Sequence, residues 1–166
     1  MKSVDEQMSV YAVYHRNRWN KATHFIGVPA IIFAILVPMS WIQFGDNVTL
    51  ARVFVVAALI YYFALDAAFA LTTAVMVGAL LYAAEHAAAG DATAGWIWFG
   101  IFFVGGWAFQ LVGHVFEGRK PALADNLFQI FVAPIFLVAE IFFALGLKRD
   151  MREKIEARLA GNIPAR

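Results

Sequence analysis

Four histidines are the groups in this chain best suited to hold a transition metal: His15, His24, His86 and His114. Neutral imidazole is the commonest protein ligand for such ions. Around the last of them, Gln110, His114 and Glu117 fall at i, i+4 and i+7, which places them on one stripe of a helix. The H-x-x-E pair within that stripe lets both side chains reach one ion, or lets the carboxylate orient the imidazole. The same stripe also describes a solvated helix end, and a single histidine beside a hydrophobic run is more often a polar residue at the interface than a ligand. His15 and His24 are nine residues apart, so one continuous helix would point them to opposite sides. Sharing an ion requires a break between them, for which "NRWNKAT" offers Asn17, Asn20 and Thr23. Three imidazoles with at most one carboxylate suit iron, zinc or copper rather than calcium or magnesium.

The elements that must position these groups are hydrophobic helices. Of 166 residues, 62% are hydrophobic, 16% aromatic and only 15% charged. Phe25 to Gly45 and Gly95 to Gly113 contain no charge, Val53 to Ala84 contains only Asp66, and Leu127 to Leu147 contains only Glu140. Runs of this kind approach the ~20 residues that cross a bilayer core. The expected fold is all-α: a polytopic membrane protein of about four to five hydrophobic helices plus an N-terminal interfacial helix, in one integral-membrane domain over residues 1–166. Within it, 1–23 reads as an interfacial segment whose helix covers 4 to 19, and 148–166 as a charged tail with a short solvated helix. The mixed-charge start does not read as a cleaved signal peptide. Cysteine is absent, which excludes disulfides and thiolate ligands, and a net charge of +1 gives no argument for nucleic acid.

The expected boundaries follow from the punctuation. Thr23 is the expected N-cap of a first span from about His24 to Ile42, ended by "FGDN". Val53 to Ala84 would make one helix of ~48 Å at ~1.5 Å per residue, too long for a ~30 Å core, so the chain is expected to turn at Asp66. "HAAAGDATAG" (86–95) reads as a loop, Trp96 to Phe116 as the next span, and Leu127 to Leu147 as the last, interrupted by Pro134. With a turn at Asp66, His24 and His114 fall on one membrane face with His15, and His86 falls on the other. Basic residues before the first span (Arg16, Arg18, Lys21) and after the fourth (Arg119, Lys120) favour the cytoplasmic side. A fifth crossing would put the basic tail on the far side. A re-entrant last segment, bent back at Pro134, removes that conflict.

Two motifs carry a resemblance. "YHRNRWNKATHFIGVPA" (14–30) resembles the N-terminal signature of small membrane proteins of the 2-hydroxy-fatty-acid dioxygenase family, in which a histidine, an asparagine and a second histidine precede F-I-G-x-P. "QLVGHVFEGRKPALADNL" (110–127) resembles that family's Q-x-x-G-H-x-x-E-x-x-x-P-A-L segment. The resemblance spans nearly the whole chain. It implies an Fe2+-dependent enzyme that uses dioxygen to shorten a 2-hydroxy fatty acid by one carbon. His15, His24 and His114 would bind the iron, and Glu117 and Asn20 occupy catalytic motif positions. Gln110, Arg119 and Lys120 would face the substrate, a cation meeting its carboxylate. Arg119 and Lys120 equally fit binding of membrane lipid headgroups. His86 matches no motif position. The site would lie on the cytoplasmic face of a bacterial cytoplasmic membrane, or of the endoplasmic reticulum in a eukaryote. Two other readings remain open at this stage: a haem- or metal-binding electron-transfer protein with histidines as axial ligands, and a transporter or assembly subunit in which Asp66 and Glu140 matter more than the histidines.

Overall fold

The computed structural model describes residues 3–121 and 128–161. The expected start of the last hydrophobic run at Leu127, the "ALADN" of the second motif and the end of the tail lie outside the described residues. Among the described residues there are seven helices and no strand: α1 (Val4–Ala12), α2 (Arg18–Met39), α3 (Leu50–Leu65), α4 (Ala67–Ala89), α5 (Ala92–Glu117), α6 (Gln129–Ala144) and α7 (Arg149–Leu159). The molecule is an all-helical membrane protein. α2, α4 and α5 are long and apolar enough to cross a bilayer, and α3 is a shorter apolar helix of 16 residues. The outward faces are apolar: Val75 is 76% exposed and Val104 68%. Such a belt belongs against lipid.

The turn at Asp66 is present and takes a single residue. Asp66 ends α3 in extended conformation and caps α4 by accepting from Phe69 N at 3.0 Å. The two helices then run antiparallel, because their far ends meet: Arg52 Nε and Nη2 donate to Glu85 at 2.6 and 2.9 Å. Thr49 caps α3 by accepting from Arg52 N. At the same end Trp41 Nε1 donates to Ala88 O and its ring lies 5.0 Å from Trp96, which ties the ends of α2, α4 and α5 together. Trp at the end of a span is the expected interfacial anchor.

Several expected boundaries move. α2 begins at Arg18, capped by Asn17, whose side chain accepts from Trp19 N at 2.8 Å. Thr23 lies inside the helix, its hydroxyl donating to Asn20 O. Asn17 outcompetes Thr23 because it follows a non-helical stretch in which an Asn side chain can reach back to a free N–H. α1 is accordingly shorter than 4 to 19. The loop expected over 86–95 shrinks to Gly90 and Asp91, since alanines propagate α4 to Ala89 and Asp91 caps α5.

The last hydrophobic segment differs most. α6 runs unbroken through Pro134, so the expected bend does not fall there. It also does not reach the opposite end of the bundle. Gln129 lines the histidine cavity, the Phe136 ring packs tilted against Tyr11, Glu140 accepts from Lys21 Nζ at 2.8 Å, and Lys148 just beyond pairs with Asp66. The break comes instead at Gly146 and Lys148, both with positive φ (74° and 50°), and α7 leaves at 112° to α6. α7 is not a free solvated helix. It packs on α1, burying Ile155, and Arg158 Nη2 lies 2.9 Å from Asp5 Oδ2. α7 therefore sits at the histidine end of the bundle.

α2 and α5 form the most extensive helix pair, and glycine lets them approach. A Cβ on Gly106 would stand 2.7 Å from Ile31 Cγ1 and 3.0 Å from Gly27 O, whereas one on Gly100 would meet nothing within 4 Å. Gly106→Leu is expected to lower the thermal midpoint in detergent and to reduce the yield of folded protein, with Gly100→Leu near wild type. Equal midpoints for the two variants would show that the α2–α5 approach contributes no stability.

Candidate metal centre

Three short pieces of chain bring the imidazoles together: the link between α1 and α2, the first turns of α2, and the last turn of α5. The break between α1 and α2 falls at 13–17, and it allows His15 and His24 to face each other. His15 Nδ1 donates to Tyr11 O and His24 Nδ1 to Asn20 O, both at 2.8 Å. A carbonyl oxygen only accepts, so these bonds put the ring protons on Nδ1. Both Nε2 atoms then carry bare lone pairs, and they stand 3.0 Å apart. His114 completes the group, its ring centroid 5.1 Å from each of the others. All three histidines are buried, and one nitrogen from each lies within 4.8 Å of the others.

Two facing lone pairs repel unless a proton or a metal ion lies between them. A proton is disfavoured: burial and the neighbouring imidazole of His24 push the His15 pKa down, against the opposing pull of its bond to Tyr11 O. A metal fits. Two nitrogens each ~2.1 Å from one ion and at about a right angle stand ~3.0 Å apart. His114 Nδ1 is buried without a hydrogen-bond partner, so the third ring also has a nitrogen uncommitted to the protein. Tyr11 stacks on His15 at 4.0 Å, nearly parallel, and fixes its plane.

Glu117 does something the stripe did not reveal. Its Oε1 accepts from Arg16 N at 3.0 Å, and its Oε2 accepts from Asn17 N at 2.8 Å and from Asn20 Nδ2 at 3.0 Å. The carboxylate thus clasps the link that carries His15 to the end of α5. Asn20, fully buried, extends the clasp by donating its side-chain amide to Tyr14 O at 2.9 Å while its backbone carbonyl holds His24. Asn17 Nδ2 adds a bond to Phe116 O. Arg119 stands on the same side, its Nη1 donating weakly to Val13 O at 3.4 Å. Lys120 is exposed beside it, and Gln110 is buried in the wall of the cavity. His86 is at the other end of the bundle, 4.7 Å from the Tyr82 ring. Glu140 is accounted for by Lys21 and Asp66 by Lys148, so both intramembrane acids are paired.

The imidazoles open on a cavity of about 80 Å³ lined also by Tyr11, Gln110, Gln129 and Pro121. Gln129 Oε1 is buried without a partner. Sequence reasoning had missed Gln129, Tyr11 and Gly113. The signal for Gly113 was the Gly-His pair itself: a Cβ there would collide with the Thr23 hydroxyl and stand 2.5 Å from Asn20 Oδ1.

The family model described as 2-hydroxy-palmitic acid dioxygenase Mpo1-like matches residues 1–145. The chain belongs to the Mpo1-like family. Among curated proteins it is 36% identical over 156 residues to the 2-hydroxy-palmitic acid dioxygenase MPO1 of Saccharomyces cerevisiae, covering 90% of this chain and 86% of that one. No solved structure matches. The matched Mpo1-like region runs from α1 to the end of α6, so it contains all three buried histidines, Glu117 and the four helices that wall the cavity, α1, α2, α5 and α6.

If the Glu117 clasp sets the position of His15, Glu117→Gln replaces an acceptor oxygen by a donor facing backbone N–H groups. Metal retention should fall ~10–100-fold, the usual effect of losing a partner one shell out from the ion. Metal content across a chelator series checks this, and retention equal to wild type would show that the clasp does not act on the site.

Proposed function

We propose that the protein is an Fe2+-dependent dioxygenase of 2-hydroxy fatty acids that shortens the acyl chain by one carbon. The observation that carries this reading is the pair of Nε2 lone pairs 3.0 Å apart, beside a third buried histidine, in a chain of the Mpo1-like family. An all-imidazole set suits iron, copper or zinc, and of these zinc cannot take part in one-electron dioxygen chemistry. His15, His24 and His114 would hold the ion, which when bound supplies Lewis acidity and redox activation of dioxygen. The reaction balances without a further reductant: a 2-hydroxy acid and dioxygen give the acid one carbon shorter, carbon dioxide and water, and all the electrons that dioxygen accepts come from carbon 2 and the carboxyl carbon.

The chain's own groups then divide the remaining work. Gln110 and Gln129 present polar atoms to the cavity and can orient the 2-hydroxyl. Arg119 and Lys120 stand where the chain leaves α5 for Pro121 at the cavity wall, and either can meet the substrate carboxylate at the membrane surface. Glu117 and Asn20 act as positioning residues that hold His15 and His24. The apolar walls exclude water from the reacting carbon. A haem reading is disfavoured because axial ligands sit on opposite faces of a macrocycle, and nitrogens 3.0 Å apart leave no room for one. A transport reading loses its two acids to ion pairs.

His15→Ala, His24→Ala and His114→Ala are each expected to abolish oxygen uptake with 2-hydroxypalmitate and to release iron from anaerobically purified protein, with His86→Ala near wild type. Iron retained by all three single variants, or a His86→Ala protein as inactive as His114→Ala yet folded, would defeat the assignment.

The charge distribution supports a site on the cytoplasmic face. Among the described residues, Arg52 is the one Lys or Arg at the opposite end of the bundle; Arg16, Arg18, Lys21, Arg119, Lys120 and the α7 cations lie at the histidine end. That asymmetry points inward. The chain has no cysteine, so single cysteines are clean probes. Cysteines at positions 21, 119 and 158 should all resist an impermeant maleimide in intact cells, and one at position 90 should react. Opposite labelling of positions 21 and 119 would break the shared site.

A further inference from the structure

The cavity at the histidines does not end at them. Ile31, Ile32, Ile130 and Pro134 line it and also line a second cavity of about 160 Å³ between α2, α3 and α6. No charged residue lines this second space. Its one hydroxyl, on Tyr62, donates to Phe131 O at 2.8 Å. Its inner wall is formed by Leu36, Val55 and Val77, all buried, while Phe54 and Ile130 are each 37% exposed on the lipid-facing side.

The depth is informative. From His24 to Leu36 is twelve residues of α2, or ~18 Å along the helix axis. Half of a ~30 Å hydrocarbon core is ~15 Å, the span of one leaflet's acyl chains. The two cavities together therefore run from the histidine end past the middle of the bundle, polar at one end and apolar at the other. That polarity matches an amphiphile with a short oxygenated head and one long tail.

We propose that the second cavity is an acyl-chain channel: it takes the tail of the 2-hydroxy fatty acid, with the head beneath the three histidines, and its floor at Leu36, Val55 and Val77 sets which chain lengths are used. This rests on the function proposed above. The substrate enters sideways from the lipid past Phe54 and Ile130, so its tail never crosses water. Because the tail moves from lipid into protein, it gains no hydrophobic transfer energy; chain length is read by van der Waals packing along the channel and by the clash of a tail too long for the floor.

Two kinds of measurement test this. Ala58→Phe and Val55→Phe fill the deep cavity without touching the histidine cavity; Leu36→Ala lengthens it. With iron content as in wild type, the two filling variants should lower kcat/KM for 2-hydroxypalmitate at least tenfold relative to 2-hydroxyoctanoate, and Leu36→Ala should shift preference toward longer acids. An unchanged ratio in all three overturns the channel while leaving the dioxygenase reading in place. The second measurement needs no turnover and no altered side chain. Metal-free wild-type protein is irradiated with a 2-hydroxypalmitate analogue that carries a diazirine on its terminal carbon. Labelling at Leu36, Val55 or Ala58 that unlabelled 2-hydroxypalmitate displaces supports the channel, even if the protein consumes no 2-hydroxy acid. Labelling elsewhere overturns it. Equal labelling by a diazirine-tailed phospholipid, undisplaced by 2-hydroxypalmitate, also overturns it, because the cleft then holds bilayer lipid.

Discussion

The arrangement depends on one carboxylate. Glu117, on the last turn of α5, accepts from the backbone amides of Arg16 and Asn17 and from the Asn20 side chain, groups about a hundred residues earlier in the chain. Charge-assisted bonds of this kind are stronger than neutral ones and bring a steep penalty when broken in a partly buried place. Without them the link between α1 and α2 would be held to the end of α5 by the Asn17 side chain on Phe116 O and the long Arg119 bond to Val13 O. With them, the link is pinned at the point where His15 must stand, and its neighbours follow. Asn20 uses its side-chain amide for the clasp and its backbone carbonyl for His24. One residue thereby connects the position of the first histidine to the tautomer of the second.

The second constraint is how the site is roofed. α6 could have been a span by composition. It is instead drawn to the histidine end by charge: Lys21 meets Glu140, and Lys148 meets Asp66 at the one-residue turn between α3 and α4. Each pair neutralises an acid that would otherwise be costly at membrane depth. The outcome is functional as well as structural. α6 contributes Gln129, Ala133 and Pro134 to the cavity wall and Phe136 to the aromatic packing around Tyr11 and His15. α7 then lies on α1 and covers the same end. A reactive centre for an amphiphile belongs at this depth, where a polar head and an apolar tail can be held at once.

Close helix approach is the third requirement, and it is met by absence of side chains. Gly27, Gly106 and Gly113 let α2 and α5 come near enough that His24 and His114 share one space. In lipid, where apolar burial between helices brings little gain, such contact rests on van der Waals packing, and a single added methyl is felt.

Much was legible in the chain itself. Hydrophobic runs dictate helices in a bilayer because no other spanning structure satisfies the backbone, and the lone Asp66 in an overlong run dictates a turn. Three histidines on one face, with His86 apart, follow from counting spans once that turn is granted. The motifs around His15, His24 and His114 carry the family, because residue types and their spacing are properties of the string. What only the tertiary structure decided is which groups meet across long sequence separations. That Glu117 would clasp Arg16 and Asn17, that Glu140 would find Lys21, and that α6 would stay on one side through Pro134 depend on partners about 80 to 120 positions away. Local propensity carries no information about such pairs. The ends of helices slipped for a related reason: Asn17 and Thr23 are both good caps, and the choice between them was made by which one faced a free N–H once the link had been pinned by Glu117.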